Sequence, residues 1–336
     1  MSSPRNSVSA SCLIRCCPTP RPSPIPATQP EDVLPEQHRR GILNVNKPSG
    51  PSSYDVIRLL KARLKPGPGR IGHAGTLDPL ASGVLLVLFE EATRISRLLL
   101  DLPKEYQARI LFGRATDTDD ITGRTTGELP VPNLTAVELQ VALDRFVGTI
   151  SQTPPKFCAL KHAGRPLYRL ARAGEALEPA ARQVTAYELQ VVAWNPPEAT
   201  VRAVVSAGFY VRALARDLGA AVGTCATLSG LIRTRIGHFS HETAIPPDAV
   251  NPGNINNLLT PIPQALPDYP RIIVSPAESA ALLQGRALRP AALSCSEIAT
   301  TTNAALAFAS TADSRFLALV AIADSSICPR RIIHAD

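Results

Sequence analysis

One stretch, residues 70–88 with the sequence RIGHAGTLDPLASGVLLVL, constrains this 336-residue chain more than any other. A loop of small residues carries one histidine and one aspartate, then enters the apolar run 84–88. That order predicts a structured loop feeding a buried strand, with Gly83 as the hinge. Asp78 stands between Leu77 and Pro79, where an acid has no obvious structural task. The proline biases Asp78 towards an extended backbone, while Gly72, Gly75 and Gly83 let other groups approach closely. In isolation Asp78 reads as the cap of a turn. A functional role needs partners from elsewhere in the chain.

The chain is long enough for two domains plus extensions. At 45% hydrophobic and 19% charged residues it can bury a core. The net charge of +7 and a pI of about 9.2 favour a polyanionic partner. Residues 41–265 hold 24 basic against 19 acidic groups, so a nucleic-acid surface is expected there. The seven cysteines (12, 16, 17, 158, 225, 295 and 328) form neither a C-x-x-C pair nor a disulfide framework. Free thiols in a reducing compartment follow. No apolar run approaches the roughly 20 residues of a membrane span.

Residues 1–40 are rich in Pro, Ser and Arg and cannot bury enough surface to order themselves, so a disordered extension is expected. They lack the apolar core of a secretory signal. An organelle transit peptide is one reading; a mis-chosen start or a loose bacterial tail is the preferred one. Residues 41–45 alternate like a strand and 46–50 read as a turn. Ser53 is the expected N-cap of a helix whose buried face carries Val56, Leu60 and Leu64, with Pro66 and Gly67 ending it. Residues 104–110 alternate again, placing Tyr106 and Ala108 on one face.

Segment 117–123, DTDDITG, imitates a calcium loop. Ile121 occupies a ligand position, the glycine comes one place late and the closing glutamate is missing, so it reads as a polar turn. Thr135 and Glu138 form a capping box before Leu139, Leu143 and Phe146. Segment 159–168 is basic and broken by Gly164 and Pro166, suited to phosphate contact or to a solvated loop. The same breakers argue against a thiol–imidazole pair of Cys158 with His162, and His238 and His241 read as surface residues. Residues 201–205 form a strand, and 206–212 turn it into a helix striped by Leu214, Leu218 and Val222. Arg212 therefore sits at a helix start, where a cation opposes the macrodipole and a carboxylate is the natural partner. Segment 231–237 adds a second basic stretch. Residues 259–267 are Pro-rich and read as a linker, and 268–336 as a small, separate β-rich domain.

Taken together, the segments GILNVNKPSGPSSYDV, GHAGTLDPLASGVL, KEYQARILFG, TDTDDITG, FCALKHAGRPLYRLAR, SAGFYVRALARDLG and LIRTRIGHF resemble the bacterial tRNA pseudouridine synthase B (TruB) family. The likeness covers roughly residues 41–245 and, more weakly, 268–333. It implies an α+β pseudouridine synthase fold, with a largely antiparallel central sheet flanked by helices and a small C-terminal PUA-like RNA-binding domain. On that reading 41–258 is the catalytic domain. The implied activity is isomerisation of uridine 55 in the T loop of tRNA, with the tRNA T-arm as partner, no cofactor, no metal, no obligate protein partner and a cytoplasmic location.

Residue by residue, the resemblance assigns Asp78 as the catalytic aspartate and Tyr106 as the tyrosine that packs on the target base. Arg212 is the arginine that pairs with the aspartate, and His73 the histidine beside the flipped nucleotide. Tyr210 and Leu231 line the uridine pocket, and Lys47 with Pro48 form a structural pair near it. Ala207 and Ile232 stand where many members carry Lys and Arg, which predicts weaker phosphate contact.

The chemistry requires the C1′–N1 bond to break, the base to turn and C5 to join C1′. A carboxylate can serve this without a cofactor. Asp78 could attack the sugar, attack the base or assist elimination, and the residues do not choose among the three. Tyr106 offers a π-face and a hydroxyl, and a base inside a folded loop must be flipped out first. The competing readings are a synthase of this fold acting on another RNA and a non-catalytic RNA-binding or RNA-folding protein.

Overall fold

The computed structural model describes residues 39–65, 69–158, 161–162, 165–166, 179–288, 306–311, 316–323 and 326–332. The extension expected over 1–40 lies almost wholly outside these residues, as does most of the basic segment 159–168.

The described chain opens with β1 (Gly41–Lys47), α1 (Ser53–Arg63), β2 (Ile71–Ala74) and β3 (Ser82–Phe89). A 3-10 turn, Glu90–Ile95, leads into α2 (Ser96–Asp101) and β4 (Lys104–Phe112). The hairpin β5 (Arg114–Thr116) and β6 (Thr125–Glu128) precedes α3 (Ala136–Asp144) and β7 (Gly148–Gln152). A two-residue hairpin, β8 (Lys161–His162) and β9 (Arg165–Pro166), comes next. Then follow β10 (Arg182–Asn195), β11 (Glu198–Val205), α4 (Val211–Ala221), β12 (Ala226–Ile236), β13 (Phe239–Ser240) and β14 (Leu259–Thr260).

Ten of these strands form one sheet in the order β14-β1-β3-β12-β4-β11-β10-β7, with β2 pairing β3 and β13 pairing β12. Every pairing is antiparallel except β3 with β12. That parallel step is where distant parts of the chain meet. Gly83 on β3 lies opposite Arg233 on β12, and Arg233 lies opposite Tyr106 on β4. Gly83 has φ +100, and a Cβ there would come within 2.3 Å of the Arg233 carbonyl oxygen. The group whose close approach this glycine permits is thus the neighbouring strand.

Two apolar layers cover the sheet and meet at this seam. One is built from β4, β10 and β11 with α3 and α4, around Ile110, Leu143, Val201 and Leu218. The other packs Val56, Ile57 and Leu60 of α1 on Val45, Leu85 and Phe89. Tyr106 and Leu231 touch both layers.

Two local expectations change. The N-cap of α1 is Ser52, not Ser53: Ser52 and Asp55 form a reciprocal capping box. Its predecessor in the chain is Pro51, so the cap comes one residue after a position fixed by the proline ring. The Pro-rich stretch 259–267 is partly packed, with Pro261, Gln264 and Pro267 exposed. It contributes β14 to the sheet edge, then the one-turn helix Ile262–Ala265, which buries Ile262, Ala265 and Leu266.

The C-terminal part is a four-stranded sheet in chain order, β15 (Arg271–Ile273), β16 (Leu306–Ser310), β17 (Phe316–Ala323) and β18 (Ser326–Ile332), with α5 (Pro276–Leu283) against it. One face buries Ile272, Leu282, Leu317 and Val320. Phe308 and Leu319 pack with Ile42, Val84, Ile236 and Phe239 of the large sheet. Burial of a phenylalanine such as Phe308 contributes roughly 2–3 kcal/mol.

Candidate active site

The aspartate loop is held by the segment just after β1. Ser53 Oγ, released from capping, donates to Leu77 O at 3.1 Å and accepts from Leu77 N at 2.9 Å. Gly50 N donates to Pro79 O at 2.8 Å, and Ser49 Oγ to Leu80 O at 2.9 Å. Lys47, fully buried at the end of β1, sends its ammonium to Ala81 O at 2.6 Å, Pro48 O at 2.9 Å and Pro79 O at 3.4 Å. Burial lowers the Lys47 pKa from 10.5 to about 8, Asp78 opposing and Arg233 adding to the shift. A turn bond from Ala81 N to Asp78 O, 3.0 Å, completes the loop. The residues on both sides of Asp78 are therefore pinned, while its own side chain stays 40% exposed.

Arg212 comes from the second residue of α4. Its Nε lies 2.9 Å from Asp78 Oδ2, as an ion pair without the alignment of a hydrogen bond. Both terminal nitrogens of the guanidinium have partners too. Nη1 donates to Thr118 O at 2.9 Å and sits 3.6 Å from Asp120 Oδ2, and Nη2 donates to Phe157 O at 3.0 Å. A cation in the first turn works against the macrodipole by about 0.3–1 kcal/mol. Hydrogen bonds from a charged group return roughly 1.5–3 kcal/mol each, so the partners win.

The turn 117–123 supplies two of those four partners, Thr118 O and Asp120. Asp120 accepts from Thr118 Oγ1 at 2.9 Å and Thr122 N at 3.0 Å, and Thr116 Oγ1 donates to Asp120 O at 2.7 Å. Its neighbour Asp119, with φ +59, pairs with Arg216 at 2.9 Å, one helical turn beyond Arg212. Burial raises the Asp119 pKa, with Arg216 opposing. The motif that imitates a calcium loop is thus an arginine holder. Among the described residues no cluster of three or more His, Cys, Asp or Glu could hold a metal.

The start of α4 is fixed by Gln152, which clasps the Tyr210 backbone in both directions: Tyr210 N donates to Oε1 at 2.8 Å and Nε2 donates to Tyr210 O at 3.1 Å. Burial raises the Tyr210 phenol, and Cys158 beside it adds to the shift.

A cavity of about 480 Å³ opens over this arrangement. Asp78, Tyr106, Tyr210, Arg212 and Leu231 all line it. Lys47 and Pro48 do not; Lys47 acts beneath, on the loop backbone. His73 stands on β2 opposite Val87, outside the cavity wall, with Nδ1 buried and unpartnered among the described residues. Burial, aided by Arg233, lowers its pKa. Ala207 lines the cavity and Ile232 lies on β12. Four contributors escaped the sequence reading: Asp120, Gln152, Arg233 and the loop-holding role of Ser53. A signal existed for the first, since two acids at 119–120 match two arginines one helical turn apart at 212 and 216.

A family model described as TruB family pseudouridylate synthase, N-terminal domain, matches residues 59–211. A tRNA pseudouridine synthase B of Azoarcus sp. (strain BH72) is 40% identical over 259 residues, covering 76% of this chain and 85% of that protein. One from Ralstonia pickettii (strain 12J) is 36% identical over 312 residues, 89% of this chain and 96% of the relative. The crystal structure of a Cbf5-Nop10-Gar1 complex contains a chain that superposes with TM-score 0.66 at 24% identity, covering 89% of this chain and 86% of that one. At that identity the likeness speaks for the fold. With the pinned aspartate, its arginine and the shared cavity in place, the chain belongs to the TruB family of pseudouridylate synthases.

Proposed function

We propose that this protein isomerises uridine to pseudouridine at position 55 in the T loop of tRNA, binding the T-arm and acting in the cytoplasm. The observation that carries the reading is Asp78, pinned on both sides and paired with buried Arg212, facing a cavity that Tyr106 also lines. A volume of about 480 Å³ suits one flipped nucleoside. Asp78 assists scission of the C1′–N1 bond by acting on the sugar, on the base or in elimination, and Arg212 orients its carboxylate throughout. The base then turns, C5 bonds to C1′, and the C5 proton departs as N1 gains one. Tyr106 packs on the base, and its hydroxyl oxygen assists departure of the C5 proton to solvent. Tyr210 and Leu231 shape the walls, and His73, outside the cavity wall, is left to contact RNA flanking the flipped nucleotide. No cofactor or protein partner is needed for these steps. The C-terminal domain extends the RNA-binding surface.

Asp78→Asn is expected to abolish pseudouridine formation, read by tritium release from 5-tritiated uridine tRNA, while tRNA binding stays within a few-fold. Full activity in that variant would sink the assignment. Mass-spectrometric mapping of pseudouridine in RNA from a deletion strain separates the tRNA reading from another RNA target and from a purely binding role.

A further inference from the structure

Two buried cations line the cavity, and the chemistry above leaves both unused. Lys104, the first residue of β4, is 6% exposed; its ammonium donates to Leu102 O at 2.7 Å and to Leu100 O. Arg233, on β12, is 1% exposed; its Nε donates to Val84 O at 2.7 Å and its Nη2 to Gly75 O at 3.0 Å. Neither makes an ion pair with a carboxylate among the described residues. Asp101, the acid Lys104 feels, is held by Arg97 at 3.0 Å on the outer rim. The two cations also repel each other. Burial, and then Arg233, lower the Lys104 pKa to about 8 despite Asp101.

Backbone carbonyls fix where these cations sit but carry no opposing charge. Two buried cations without an anion are an unfavourable pair. An ammonium has three donors and a guanidinium five, so each retains donors after its two carbonyl bonds. Their placement also matches a nucleotide. Lys104 and Tyr106 lie two residues apart on β4, about 6.7 Å along a strand, and Arg233 sits directly opposite Tyr106. That offset is comparable with the separation of a base from the phosphate of its own nucleotide.

We infer that Lys104 and Arg233 form a phosphate subsite, where a backbone phosphodiester flanking the target uridine docks while the base lies between Tyr106 and Asp78. The inference rests on the RNA-modifying reading and adds to it the group that seats the flipped nucleotide. The bound phosphate relieves the repulsion between the two cations, so the seat is complete only with RNA in place.

The test uses T-arm hairpins carrying one uncharged methylphosphonate at each linkage flanking the target uridine. Binding is measured to full-length Asp78→Asn protein, alone and combined with Lys104→Gln or Arg233→Lys. One linkage is expected to weaken binding of the Lys104-bearing protein about tenfold, and of the Lys104→Gln protein less than twofold. Arg233→Lys, which keeps the charge, should keep the linkage effect. Equal losses in the Lys104 and Lys104→Gln proteins at every linkage would overturn the subsite and reduce Lys104 to a brace for the end of α2. Should Lys104→Gln fail to fold by circular dichroism, the scan on the parent protein decides: no sensitive linkage overturns the proposal. Inorganic phosphate is expected to compete no better than chloride at equal ionic strength. Selective competition by inorganic phosphate without any linkage effect would assign the cations to free anion and also overturn it. Turnover of the unmodified hairpin by the Asp78 enzyme is read separately, so a failed linkage test with normal turnover strikes the subsite alone.

Discussion

Replacing Lys47 with methionine isolates how the aspartate loop is held, because an unbranched apolar chain only one atom shorter takes the place of the lysine stem and the charge and donors are lost. The Ala81 carbonyl loses a donor at 2.6 Å and the Pro48 carbonyl one at 2.9 Å, whereas Pro79 O retains Gly50 N at 2.8 Å. Leaving buried carbonyls unpaired costs about 1–3 kcal/mol, and removing a buried charge returns part of that. A net loss of about 1–2 kcal/mol follows, lowering Tm by roughly 2–8 °C. The effect on turnover should be larger. A shift of about 1 Å in a reacting group costs up to roughly 100-fold, so Lys47→Met is predicted to lose about 10- to 100-fold in single-turnover tritium release. Binding of tRNA should hold within about threefold, since Lys47 does not line the cavity.

A pH profile sharpens this test. Lys47 titrates near 8, so the ammonium has three donors below that pH and the neutral amine two above it. Turnover should therefore decline as pH climbs through about 8. Stability runs the other way: between about 8 and 10.5 the unfolded chain holds a proton that the folded chain has released, so the unfolding free energy rises across that window. Lys104 is lowered to about 8 as well, so the alkaline limb should shrink in Lys47→Met without vanishing. Wild-type turnover in Lys47→Met, or an alkaline limb of unchanged size, would refute the reasoning.

Three further outcomes follow from the same geometry. Arg212→Lys cannot span Asp78, Asp120, Thr118 O and Phe157 O with one ammonium; turnover should fall at least about 100-fold, and near-normal single-turnover rates would dismiss its orienting role. Tyr106→Phe should bind tRNA normally and lose turnover, while unchanged turnover would leave Tyr106 only its packing on the base. Gly83→Ala brings a Cβ within 2.3 Å of the Arg233 carbonyl at φ +100 and should destabilise the fold by about 3 kcal/mol; a thermal midpoint within about 2 °C of wild type would contradict the close β3–β12 packing.

Local signals in the chain proved informative where a short stretch decides its own structure. The strand read at 41–45, which runs two residues further into the expected turn, the capping box of Thr135 and Glu138, the buried face of α1 and the alternation through Tyr106 all appear where periodicity puts them. The carboxylate partner demanded by Arg212 was legible too, because a cation at a helix start is locally unfavourable. What composition and spacing could not show was division of labour between neighbours. Ser52 and Ser53 both suit a cap, and only the position of Leu77, 24 residues on, decides that Ser52 caps while Ser53 holds the loop. Arg233 read as one cation in a basic stretch, because its burial depends on β12 inserting between β3 and β4.

Arg212 also explains why the site's parts are so widely spread in sequence. Its guanidinium bridges the loop of Asp78, the turn of Asp120 and the carbonyl of Phe157, each in a connection between different strands. Without these partners the side chain would be a buried cation facing the positive end of a helix, a state several kcal/mol unfavourable. With them it links the two apolar layers across the seam where Tyr106 sits. The arginine's full set of partners therefore exists only when these segments are packed together. The same contacts explain why Asp78 can remain 40% exposed to the cavity without losing its orientation: the backbone on either side and the arginine behind it are each held by hydrogen bonds to other segments.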